Sequence, residues 1–170
     1  MANIKYGSLM YFPFLDKIKW RKAISQLFDP SLEIDFNFRP HITILYGFDN
    51  SKLNIEKLHN DTNKFLEKNP LNLNAKQITT FHNPPQVLKI DIIDLNGNLF
   101  KLNEIIRNEF ECVVEYPQYL PHITIGAINN ESAISFHNKI ELMDFGFKSL
   151  NDGVIKYYDG IKNMSIITSI

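Results

Sequence analysis

Residues 40–44 read Pro-His-Ile-Thr-Ile, and residues 121–125 read Pro-His-Ile-Thr-Ile again. A pentapeptide written twice, half a chain apart, constrains the fold more than any other feature of this sequence. Its β-branched residues and period-2 alternation make each copy a strand. Successive side chains on a strand point to opposite faces, so His41 and Thr43 share one side while Ile42 and Ile44 share the other. His122 and Thr124 are opposed in the same way to Ile123 and Ile125. If two related halves pack with approximate two-fold symmetry, their polar pairs face each other across a cleft.

The surrounding pattern supports two related halves. Strand patterns fall at about 4–12, 41–48, 71–81, 86–93, 121–128, 144–149, 154–158 and 164–169. Helical spacing of apolar residues occupies 16–28, with Pro30 as a stop, and a stretch from an N-cap at Ser51 to Glu67, closed by Asn69-Pro70. Leu99, Leu102, Ile105, Ile106 and Phe110 stripe a third helix, and 130–143 reads as a fourth. Each repeated strand thus follows a helix and precedes another. The halves join near residues 81–86, where Pro84-Pro85 excludes a helix. Neither half has enough strands to bury a face alone, so the expectation is one domain over 1–170, with lobes of about 1–83 and 84–170. The fold class expected is α+β: two pseudo-symmetric halves whose antiparallel sheets line a central cleft, with helices outside. Asn151-Asp152-Gly153 and Tyr158-Asp159-Gly160 look like tight hairpin turns.

Composition narrows the partners. With 170 residues, 44 % of them hydrophobic and 22 % charged, the chain is ordinary globular material. A net charge of −1 gives no whole-molecule field to gather a polyanion, so any phosphate binding is local. Cys112 is the single cysteine, which excludes an intramolecular disulfide and a cysteine-based zinc site and fits a reducing cytoplasm. No apolar run is long enough to span a bilayer and no export leader is evident, so the expectation is a cytoplasmic protein with no membrane association. No obligate protein partner is evident.

Two opposed histidines near neutral pH serve as general base and general acid, because one imidazole can be neutral while the other is protonated. The hydroxyls of Thr43 and Thr124 can donate to non-bridging phosphate oxygens and hold phosphorus between the rings. Such a quartet makes or breaks a phosphodiester without a metal. A zinc site would need a third ligand, and no His-Glu-x-x-His cluster is present. His59, His82 and His137 lack the strand context and the threonine partner.

At these residues the sequence resembles the 2H phosphoesterase superfamily, whose signature is two His-x-Thr/Ser motifs about half a chain apart. The resemblance covers nearly the whole length. It implies the bilobal fold of the 2′-5′ RNA ligase-like (LigT-like) proteins, no metal or other cofactor, and His41, Thr43, His122 and Thr124 in the site. Residues 41–48, 87–92 and 116–126 look most like compact bacterial and phage members. The phage anti-CBASS enzymes, which degrade cyclic oligonucleotide immune signals, are similar in size and in a His-x-Thr-x-x-Tyr first motif, matched by His41, Thr43 and Tyr46. The second motif continues as Gly126-Ala127, where many relatives carry an aromatic.

Tyr11, Tyr46 and Tyr119 are candidate platforms for a stacked nucleobase; for Tyr11 the alternative is a place in the core. Lys89, in the middle of an apolar strand, either reaches solvent or faces the cleft as a phosphate anchor. Arg39 could do likewise, although an exposed ion pair is its simpler fate. The leading function is a metal-independent phosphodiesterase that opens cyclic or 2′-5′/3′-5′ linked oligonucleotides, serving host-defence evasion if the phage resemblance holds. The alternatives are 2′,3′-cyclic phosphodiester or 2′-5′ ligation chemistry on short RNA ends, and a silent nucleotide-sequestering module. Scattered lysines favour a small nucleotide over long RNA.

Overall fold

The structure is a computed structural model that describes residues 6–26, 34–36, 39–81, 86–113, 118–128 and 149–170. Its strands are β1 (Gly7–Pro13), β2 (Ile34–Phe36), β3 (Ile42–Phe48), β4 (Leu73–Phe81), β5 (Gln86–Asp94), β6 (His122–Ile128), β7 (Gly153–Tyr158) and β8 (Met164–Ser169). The helices are α1 (Lys17–Gln26), α2 (Ile55–Leu66) and α3 (Asn98–Glu109). The strands form one antiparallel sheet in the order β4-β5-β6-β3-β1-β7-β8, with β2 pairing β6.

The repeated strands β3 and β6 sit side by side at the centre of that sheet. They pair at Ile42 and Ile123. Both isoleucines are buried, as are Ile44 and Ile125, on the face that α2 and α3 cover. Each side chain so buried contributes roughly 1.5–3 kcal/mol. Leu9 and Tyr11 of β1, Leu88, Ile90 and Ile92 of β5, and Leu99, Leu102 and Ile106 of α3 complete this core.

The two halves of the sheet are built alike. On one side Leu9 pairs Leu45 and Met10 pairs Thr43, so Ile44 is an extra residue without an opposite number. On the other, Leu88 pairs Gly126 and Lys89 pairs Thr124, so Ile125 is the extra residue. Each copy of the pentapeptide therefore ends in a β-bulge, which shifts the facing of everything after it. Strict alternation from Thr43 would send Tyr46 into the core; the bulge instead sets it opposite Ser8, on the face of His41 and Thr43.

Strand pairing crosses residues 83–84, where the sequence suggested that the halves join. β4 precedes that point yet pairs β5, and β7 follows it yet pairs β1. The strands exchange because β4 and β5 form an antiparallel pair across the 82–85 connection, while the last two strands return to cover the open edge of β1.

Local differences have local causes. The helix expected from Ser51 begins at Ile55, because Asn54 caps it by accepting from the Lys57 amide at 2.9 Å, whereas Ser51 bonds Asp49 in the preceding turn. Asp159 and Gly160 do form the β7–β8 turn: one carboxylate oxygen accepts the amides of Ile161, Lys162 and Asn163, and Gly160 takes a φ of 76°. Asn151-Asp152-Gly153 is instead a lead-in to β7, where the Asn151 side chain accepts from the Leu73 amide. The short strand β2 has no period in the sequence to reveal it. The expected helix over 130–143, residues 144–148 of the expected strand, His82 and His137 lie outside the described residues.

Tyr11 is a core residue rather than a stacking platform. Its place on β1 alternates with Met10 and Phe12, which turns its ring inward, where it is fully buried and donates to the Leu150 carbonyl at 2.7 Å. Tyr11→Phe leaves that buried carbonyl without its donor and is expected to destabilise the fold by about 1–3 kcal/mol. Urea denaturation checks this as a lowered midpoint at an unchanged slope; an unchanged midpoint would show that the hydroxyl contributes nothing.

Candidate active site

One residue to either side of the Ile42–Ile123 pair, His41 lies across from Thr124 and Thr43 across from His122. The four polar side chains of the two pentapeptides thus form a two-fold quartet on the face opposite the isoleucines. Two rows of residues cross the sheet through it. One runs Lys156, Met10, Thr43, His122, Asp91 and Gln77; the other runs Val154, Phe12, His41, Thr124, Lys89 and Thr79. The two histidines are diagonal neighbours, for which backbone spacing is about 7–8 Å. That leaves room for a phosphodiester between the rings.

Both rings are held the same way. His41 Nδ1 lies 2.8 Å from the Arg39 carbonyl, and His122 Nδ1 lies 2.7 Å from the Leu120 carbonyl. A carbonyl only accepts, so Nδ1 carries the proton in each ring and Nε2 is left to accept or deliver one. Each ring also packs on a phenylalanine: Phe12 at 5.4 Å from His41 and Phe81 at 5.0 Å from His122, between centroids. A lysine lies over each of those phenylalanines, Lys156 at 5.2 Å and Lys89 at 4.8 Å.

The electrostatics are not symmetric. Burial holds the His122 imidazolium below its usual range, and the charges of Lys89 and His41 push the same way, against the Leu120 carbonyl and Asp91. The neutral ring is therefore the favoured form of His122. Lys89, 7 % exposed, is paired with Asp91 and donates to Thr79 Oγ1 at 2.7 Å. Burial would raise the Asp91 carboxyl, but hydrogen bonds from Lys89, Gln77 and Thr79 outweigh it and hold it below the usual carboxylate range. Lys89 therefore faces the cleft floor beside Thr124 rather than solvent, with its charge matched by Asp91. The corresponding place opposite Thr43 holds Met10.

Beyond Thr43 the strands β3 and β6 diverge, and the backbone groups that β3 would have shared with β6 find other partners. The Tyr119 hydroxyl donates to the Thr43 carbonyl at 3.0 Å, Asn103 Nδ2 to the Ile44 carbonyl at 2.6 Å, and the Val113 amide to the Gly47 carbonyl at 2.8 Å. Tyr119 is thus first a brace, packed edge-on against Phe100 at 5.4 Å, and burial raises its phenol far above the usual range. The wedge between the diverging strands opens into a cavity of about 950 Å³, lined by Thr43, Tyr46, Phe81, Tyr119 and His122, and further by Tyr6, Ser8, Arg107, Gln118 and Tyr158. Tyr46 stands in its wall with Tyr6 edge-on at 6.3 Å. The matching place after the second pentapeptide is Ala127, so the cavity has no aromatic twin.

No protein-family model matches this sequence, and no curated protein matches it significantly. Among solved structures, Usb1 of Kluyveromyces marxianus aligns over 98 % of this chain and 99 % of its own, at TM-score 0.58 and 11 % identity. Its structure with uridine monophosphate aligns over the same shares at TM-score 0.65 and 12 % identity. The chain therefore shares the fold of Usb1 over nearly its whole length. The quartet lies where the two pentapeptide strands meet at the centre of the sheet.

Of the residues singled out in the sequence, His41, Thr43, His122, Thr124 and Lys89 share the cleft floor, Tyr46 and Tyr119 line the cavity beside it, and Tyr11 is elsewhere. His59 lies on α2, where its ring meets Asn63, and has no part in the cleft. Phe81, Asp91, Arg107 and Gln118 join the site without having been singled out in the sequence. Only Asp91 had a signal, two residues from Lys89 and therefore on its face. Among the described residues no three His, Cys, Asp or Glu side chains converge as a metal-ligand set.

The depressed His122 value links stability to pH. A histidine disfavoured as a cation in the fold binds protons more readily when unfolded, so stability is full above the unfolded value, 6.5, and falls as pH drops from there through the lower folded value. His122→Gln should flatten that part of the stability–pH curve, measured by urea denaturation across the range; an unchanged slope would place the proton uptake elsewhere.

Proposed function

We propose that this protein is a metal-independent phosphodiesterase acting on a nucleotide 3′-5′ or 2′-5′ linkage, with His41 and His122 as its acid–base pair. The observation that carries this is the two-fold quartet: two imidazoles with Nδ1 locked on a backbone carbonyl, Nε2 available, and a threonine hydroxyl across from each. His122, favoured as the neutral ring, takes the proton of the attacking hydroxyl through Nε2. His41 delivers a proton from Nε2 to the leaving oxygen. Thr43 and Thr124 donate to the non-bridging oxygens, whose charge grows in the transition state. Lys89 adds a positive field beside Thr124, tempered by Asp91.

If the attacking group is the neighbouring 2′-hydroxyl, its proximity supplies much of the rate and the product is a 2′,3′-cyclic phosphate. Water attack on that product, with the two rings exchanging roles, completes hydrolysis. A nucleobase is held in the cavity beside Thr43 and His122, where aromatic contact contributes roughly 1–3 kcal/mol per base. Degradation of a cyclic oligonucleotide signal, the finer reading, is supported by Tyr46, which the bulge brings to the cleft face in the His-x-Thr-x-x-Tyr order. Processing of RNA ends is the second reading, supported by the fold shared with Usb1, a protein solved with uridine monophosphate.

The test is incubation with cyclic di- and trinucleotides, 2′-5′ oligoadenylate, 2′,3′-cyclic mononucleotides and short RNAs, with and without EDTA, read by mass spectrometry. His41→Ala and His122→Ala are each expected to lower kcat by about 10²–10⁴, EDTA to change nothing, and the pH–rate profile to show two limbs. Turnover of cyclic or 2′-5′ oligomers selects the signal-degrading reading, and turnover confined to RNA ends selects the second. Activity lost to EDTA, or kept by both variants, would overturn the assignment.

A further inference from the structure

Resting on that reading of the quartet, the cavity beside it carries a statement about how far the substrate extends. Arg107 is the only Lys, Arg, Asp or Glu among the described residues that line the cavity. It makes no ion pair with any described residue, in contrast to Lys89, which Asp91 neutralises. Its position follows from two contacts. Asn103, one turn earlier on α3, bonds the Ile44 carbonyl, and the chain just after α3 bonds the Gly47 carbonyl through Val113. Arg107 therefore stands alongside the end of β3 at the level of Tyr46, at the side of the cavity away from Thr43 and His122. α3 belongs to the layer beneath the sheet, and Arg107 gains the cleft because β3 and β6 diverge there.

Between the quartet and Arg107 lie Tyr46 and Tyr119, walls suited to a base and sugar, while Phe81 packs on His122 at the quartet itself. The volume of about 950 Å³ is at the upper end for a small-molecule site, more than one nucleoside fills. A guanidinium at the far end of such a chamber, with no carboxylate among the described lining residues to match it, presents a planar fork of donors suited to a phosphate. We propose that Arg107 binds a second phosphate, the one on the far side of the nucleoside that occupies the cavity. The substrate then continues past that nucleoside, as a cyclic or internal oligonucleotide segment does, and Arg107 is a specificity-determining residue that separates such substrates from those ending in an unphosphorylated nucleoside.

The test compares UpU with pUpU and UpUp, and ApA with pApA and ApAp. Values of kcat/KM come from the wild type, Arg107→Gln and Arg107→Lys. Equilibrium binding of the same six ligands is measured on the His41→Ala/His122→Ala protein, with and without Arg107→Gln. The wild type is expected to prefer one phosphorylated form over the unphosphorylated dinucleotide by about tenfold or more, as a charged hydrogen bond gives. Arg107→Gln should bring that ratio to about one, and Arg107→Lys should restore part of it. Equal use of all three forms by the wild type, or a preference that survives Arg107→Gln, overturns the inference. Binding that prefers the phosphorylated form through Arg107, with no turnover, sustains it while removing the proposed activity. Turnover without the preference does the reverse.

Discussion

Everything at the cleft depends on one pairing, Ile42 against Ile123. The two isoleucines are buried on the helix-covered face, and because strand side chains alternate, burying them obliges the residues before and after to emerge on the other side. Antiparallel register then sets His41 across from Thr124 and Thr43 across from His122. A slip of one residue in either strand would carry that strand's imidazole into the core and its isoleucine into water. The hydrophobic effect thus fixes the geometry of the quartet without acting on any of its polar atoms.

The lobes repeat more than the pentapeptide. Each copy ends in a bulge at its last isoleucine, each histidine gives Nδ1 to the carbonyl two residues earlier, and each ring rests on a phenylalanine that lies under a lysine. Symmetry is broken in what surrounds these parts. Met10 and Lys89 hold matching places opposite the two threonines, and Tyr46 and Ala127 hold matching places after the two bulges. A symmetric quartet in an asymmetric frame gives two chemically equal histidines different surroundings. His122, half-buried among Lys89, Asp91 and Phe81, is biased to the neutral form, and the roomy aromatic compartment opens on its side.

The site was legible in the sequence to the extent that its residues are short-range and repeated. His41, Thr43, His122 and Thr124 could be named because alternation along a strand needs no tertiary information. Strands β3 to β8 and helices α2 and α3 fell within a few residues of expectation, Ser51 yielding to Asn54 as the cap. Tyr11 misled because an aromatic on a strand is equally suited to either face, and only the phase of β1 against β3 decides between them. Tyr46 is the converse: plain alternation from Thr43 points it inward, and the bulge at Ile44 turns it outward. The exchange of β4 and β7 between the halves was hidden because pairing partners far apart in sequence leave no local trace.

The sequence by itself determined that two strands would each carry a histidine and a threonine on one face, that these suit acid–base work on a phosphodiester, and that no charge excess would gather long RNA. It could do so because a two-residue period and a net charge are properties of the chain alone. Tertiary structure decided which histidine is biased towards the neutral ring, that Lys89 is matched by Asp91, and that Arg107 reaches the cleft from the helical layer. Those outcomes depend on desolvation, on cross-strand neighbours and on the divergence of β3 from β6, and each arises only when segments distant in sequence are packed together.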